Sequence, residues 1–161
     1  MSRTQWSDAT LVCALQCMLS QLIMHALNHA GGHLVPILIK VQSLQRSLLQ
    51  FEQIYDAAWN WVDAYLRRQH GADSDLYCML SQALMARRAL LLLDGIDEGG
   101  VARDRIEAHI TEVLEPQGHI MVATSRPASI NLGRFARFEH LKLAPLSEDQ
   151  QRLGALLIKS A

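Results

Sequence analysis

The chain has 161 residues, 50% of them hydrophobic and 19% charged, with a formal net charge of −1. That length supports one domain with a sizeable core, and the lack of a basic excess argues against nucleic acid as a partner. Three cysteines, Cys13, Cys17 and Cys78, form no disulfide framework, which points to a reducing, cytoplasmic setting.

Ser7 and Asp8 are placed to cap a helix running to about residue 30. Leu11, Leu15, Met18, Leu19, Leu22, Ile23, Ala26 and Leu27 give it a broad apolar face, and Gly31-Gly32 ends it. Gln16, Ser20, Gln21, His25, Asn28 and His29 interrupt the stretch, so no membrane span is expected. Ser7, Asp8 and Thr10 precede any apolar run, so no signal peptide is expected either. Cys13 and Cys17 lie one helical turn apart, and a metal site would draw on His29 or His33. Without CxxC or HxxxH spacing they read as small buried apolar residues rather than metal ligands.

Residues 34–41 read as a strand, with Pro36 tolerated near its start. Residues 48–68 read as one helix. Its inner face carries Phe51, Ile54, Tyr55, Ala58, Val62, Tyr65 and Leu66. Trp59 and Trp61 flank that face with only Arg67 and Arg68 nearby, so they suit packing better than base stacking. After a loop at 71–75, a helix over 76–88 has Leu76, Met79, Leu80, Ala83 and Leu84 as its stripe. Arg87 and Arg88 suit its C-terminal dipole.

Residues 89–98 are the most informative stretch. The apolar run 90–93 suits the interior of a parallel sheet, and Asp94, Asp97 and Glu98 follow at its carboxyl end. That is where open α/β sheets bind ligands. Gly99-Gly100 loosens the exit. A helix over 103–114 turns Ile106, Ile110, Val113 and Leu114 inward, and Pro116-Gln-Gly118 breaks it. Residues 119–124 read as a second buried strand, ending in Ser125-Arg126-Pro127. Residues 138–143 alternate as a more exposed strand. Pro145 follows, and Ser147-Glu-Asp-Gln150 caps a final helix containing Leu153, Leu156, Leu157 and Ile158. Strands alternating with helices make this an α/β chain, with a parallel wound sheet of about four strands and flanking helices.

The order of these pieces resembles the NACHT family of signal-transducing P-loop NTPases. The hydrophobic strand, Asp94, Gly95 and the Asp97-Glu98 pair are similar to that family's Walker B motif (89–98). Thr124-Ser125-Arg126-Pro127 is similar to its sensor strand (119–127). Residues 141–150, Leu-Lys-Leu-Ala-Pro-Leu-Ser-Glu-Asp-Gln, are similar to the start of its helical extension, here 145–161. The resemblance implies that Asp94 engages Mg2+ and that Asp97 and Glu98 position or activate water. It also implies that Thr124, Ser125 and Arg126 meet the nucleotide, with Arg126 sensing the γ-phosphate of ATP. Phosphoryl transfer needs charge neutralisation and in-line water more than covalent chemistry, so those residue types fit.

No Gly-x-x-x-x-Gly-Lys-Ser/Thr occurs in the 161 residues. The backbone nest and lysine that hold phosphates are therefore missing, and with them the family's central Walker A strand. Residues 1–161 thus read as a partial NACHT-like nucleotide-binding domain, cut at its N-terminus and again before its helical domains. The implied function is a fragment of an ATP- or GTP-dependent signalling switch, with nucleotide as ligand if the loop is supplied and protein partners or self-association as output. The competing reading is a non-catalytic interaction module that has lost nucleotide binding. A third is a magnesium enzyme using Asp94, Asp97 and Glu98 without a phosphate loop, which lacks the further carboxylates that two-metal sites take from several elements.

Overall fold

Each apolar run is too short to bury itself, and the fold solves this by laying three of them side by side. In the computed structural model, which describes residues 34–126 and 129–142, strands β1 (Val35–Lys40), β2 (Ala89–Asp94) and β3 (Ile120–Ala123) form a parallel sheet in the order β1-β2-β3. Val35 faces Ala89 and Lys40 faces Asp94; Leu90 faces Ile120 and Leu93 faces Ala123. Residues 34–137 belong to one unit, which carries the sheet and the site, and residues 138–142 to a second.

β2 is buried on both faces, as its unbroken leucines require: Leu90, Leu91, Leu92 and Leu93 are all 4% exposed or less. β1 alternates, with Ile37 and Ile39 buried and Leu38 exposed. Among the described residues β1 pairs only with β2, so Pro36, which has no N–H to donate, sits where an edge strand tolerates it. Both connections run from one strand to its parallel neighbour in the same direction. The right-handed sense of such crossovers puts their helices on one face. Ile37, Ile39, Leu91 and Leu93 share one face of the sheet by register and alternation, and they are buried, as are Leu44, Leu48, Leu84, Ile106 and Ile110 of the helices.

The helices depart from expectation in one region. The single helix expected over 48–68 is three: α1 (Val41–Gln50), α2 (Glu52–Asp56) and α3 (Trp61–His70). Phe51 leaves helical geometry at φ −133°, ψ 42°. Asn60 is extended, and its Oδ1 accepts from the Val62 and Asp63 amides at 2.8 and 3.3 Å, starting α3 afresh. The first strand also ends at Lys40, and Val41 already begins α1. Helix α4 (Asp75–Met85) is capped by Ser74, whose Oγ accepts the Tyr77 amide at 3.1 Å. Helix α5 (Arg103–His109) continues as a π-helical turn, Ile110–Leu114, matching the extent expected for that helix.

The fourth strand is not found. Residues 138–142 are irregular and Leu141 is 85% exposed, so the sheet among the described residues has three strands, not four. Alternation of apolar and polar residues alone does not make a strand. The N-terminal helix with Cys13 and Cys17, Pro127, and the final helix lie outside the described residues. Among the described residues no helix is long and apolar enough to cross a membrane.

Candidate functional site

β2 runs out of the core at Asp94, which is half-buried, and the chain must turn at once. Gly95 makes the turn in the left-handed region, φ 76° and ψ 60°. A side chain there would also crowd Glu98, whose Cδ lies 3.2 Å from where a Cβ would sit. A 3₁₀ turn, Ile96–Glu98, follows, anchored by buried Ile96.

The loop after β3 is bonded to this acidic turn. The Thr124 amide donates to the Leu93 carbonyl at 2.9 Å, and the Ile96 amide to the Thr124 carbonyl at 2.8 Å, extending the parallel ladder past both strand ends. The Thr124 hydroxyl donates to Asp94 Oδ1 and accepts the Gly95 amide, each at 2.9 Å. One turn further out, Asp97 Oδ1 accepts the Arg126 amide and its Oδ2 pairs with Arg126 Nε, both at 3.2 Å. The Asp97 side chain is 11% exposed and that of Arg126 is 72% exposed.

Of the residues nominated from sequence, the structure thus gathers Asp94, Asp97, Thr124 and Arg126 into one bonded group at the carboxyl edge of the sheet. It does not add Ser125, whose hydroxyl among the described residues reaches only the Arg126 carbonyl, at 3.4 Å. Glu98 is exposed, and among the described residues its carboxylate has no hydrogen-bond or ion-pair partner. One neighbour was missed. Lys40 stands in register with Asp94 and, by strand alternation, on the same face of the sheet as Asp94. Its signal was a lone charge closing an apolar strand.

No family model, curated protein or solved structure matches this chain. What the site can do is therefore read from its own chemistry. Asp94 has Oδ1 committed to Thr124, and among the described residues no hydrogen bond takes its Oδ2. Among the described residues no three His, Cys, Asp or Glu side chains are grouped to hold a metal. That donor set fits Mg2+ only in its usual style, with one or two carboxylates and the remaining positions filled by water and phosphate oxygens.

Two other buried polar groups are structural. Glu107, 1% exposed, is held by Arg103 Nε at 2.7 Å and Arg134 Nη1 at 3.5 Å, tying α5 to the segment that buries Phe135. At the amino end of β3, Asn60 Nδ2 donates to Gln117 Oε1 at 3.0 Å beside buried His119. Trp61 belongs to the packing, as its sequence context suggested: its ring stacks on His109 at 4.4 Å, and its Nε1 donates to the Tyr55 carbonyl.

Proposed function

We propose that this chain carries the magnesium-facing half of a P-loop-type nucleotide site, as a piece of a NACHT-like signalling switch. The observation that supports it best is the bond from Thr124 to Asp94 across adjacent parallel strands. It sets the strand-end acid beside the Thr-Ser-Arg loop at the sheet edge where such folds bind phosphates. The order β1-β2-β3 supports it too. The side of β3 away from β2 is where the resemblance requires the missing central strand. On this reading Asp94 holds Mg2+, which neutralises phosphate charge when bound. Arg126 offers a guanidinium to a terminal phosphate, and Glu98 is the unencumbered carboxylate for orienting water. The interaction-module reading shares this sheet and differs only in lacking nucleotide.

Calorimetry of the 161-residue protein with ATP separates the two. Binding is expected only at millimolar nucleotide, weaker without Mg2+ and lost in Asp94→Asn, with negligible hydrolysis, because no phosphate loop is present. Micromolar affinity would show that the phosphates are held by other residues. Indifference to both Mg2+ and Asp94→Asn would leave the interaction module as the better reading.

A further inference from the structure

The resemblance assigns Asp97 to water activation and Arg126 to the phosphate, but in the structure each occupies the other. Asp97 receives two donors from one residue, the Arg126 amide and Nε, and both of its oxygens are used. A carboxylate whose two oxygens are both engaged by an arginine and its amide is badly placed to bind and orient a water. The arginine, in turn, has its Nε edge turned to the protein while most of its side chain is in water. Asp97 thus fixes the backbone of the 124–126 loop through the amide and holds the guanidinium through Nε.

We propose that Asp97 is a positioning residue that keeps Arg126 docked on the acidic turn, and that a polyphosphate chain engages Arg126 by drawing its guanidinium off Asp97. The inference rests on the nucleotide reading of the site. The exchange is feasible because the pair is exposed on the arginine side, where such ion pairs are weak and screened. A phosphate chain offers Arg126 more negative charge and a bidentate partner. The amide contact to Asp97 Oδ1 can persist while Nε leaves, so the loop keeps its place as the side chain swings.

The test uses inorganic tripolyphosphate with Mg2+ on the full chain, comparing wild type, Asp97→Asn, Arg126→Gln and the double variant. An Asn at 97 still accepts the Arg126 amide but no longer holds the guanidinium by charge. Asp97→Asn is therefore expected to bind about two- to fivefold more tightly than wild type, the range of a surface ion pair. The gain must vanish in the double variant. A gain that survives without Arg126 would be a plain charge effect and would overturn the proposal, as would equal affinity in wild type and Asp97→Asn. The Arg126 Nε–H resonance supplies a readout free of ligand: it is expected to shift on Asp97→Asn, and an unmoved resonance would refute the pairing. Absence of tripolyphosphate binding in every variant, with the resonance still responding to Asp97→Asn, would refute the nucleotide reading and the exchange together while leaving the pair itself standing.

Discussion

At the scale of single residues, Thr124 does more than its place in a Thr-Ser-Arg-Pro motif suggests. Its hydroxyl bonds both the strand-end acid and the amide of the glycine that turns the chain away from it. Thr124→Val keeps the shape and removes the oxygen, stranding the Gly95 amide and one Asp94 lone pair. A cost of about 1–2 kcal/mol is expected, because a part-buried donor left unmatched forfeits its desolvation. Urea denaturation checks this: the midpoint should fall with an unchanged slope, and Thr124→Ser should restore most of it. A valine variant as stable as wild type would mean that water replaces the hydroxyl. The acidic residues and the arginine were legible from sequence as types in order. Their pairing was not, because which oxygen meets which donor is decided by a register between β2 and β3 that no local pattern encodes.

At the scale of elements, the junction of α3 with α5 is where local reading failed and where pH enters. Apolar spacing runs without a break from Phe51 to Leu66, so periodicity alone joins what Phe51 and Asn60 divide. Asn is a residue type that caps helices, but the apolar spacing gives no sign that Asn60 does so. What pins the new helix is long-range. The Trp61 amide donates to His109 Nε2 at 3.1 Å, and the two rings stack within 4° of parallel. Burial lowers the His109 pKa from 6.5 to about 4. His119, lowered first by burial and then by the charge of Arg87, shifts the same way. Between pH 6.5 and about 4 the unfolded chain binds a proton that folded His109 refuses, so stability falls as pH drops through that window and the His109 share is spent below it. That share is up to about 3 kcal/mol. Urea midpoints measured from pH 7 to pH 4 should show the decline. His109→Gln, which can still accept the Trp61 amide, should flatten it. An unchanged slope in that variant would place the acid sensitivity elsewhere.

At the scale of the whole sheet, three strands were legible because each is an apolar run bounded by polar residues or glycine. The fourth, expected over 138–143, is irregular over its described residues 138–142, because alternation of apolar and polar residues does not by itself make a strand. Which strands are interior also escaped the sequence: Leu38 and Leu92 are both leucines inside apolar runs, and they face each other in register. Leu92 is 2% exposed and Leu38 is 53% exposed, while Val122, on the other flank of Leu92, is 43% exposed. The sheet is therefore fully buried only along its central strand, and Asp94, two residues on from Leu92, emerges on the face whose outer rows are open. Leu92→Ala should cost about 2–5 kcal/mol, a transfer term plus a cavity between two strands and their covering layers. Leu38→Ala should cost less than about 1 kcal/mol, since half of that side chain already meets water. Denaturation midpoints of the two variants decide it. A Leu38→Ala loss equal to that of Leu92→Ala would mean that the β1 side of this face is covered in solution, and that the acidic turn opens into an enclosed crevice rather than onto an open flank.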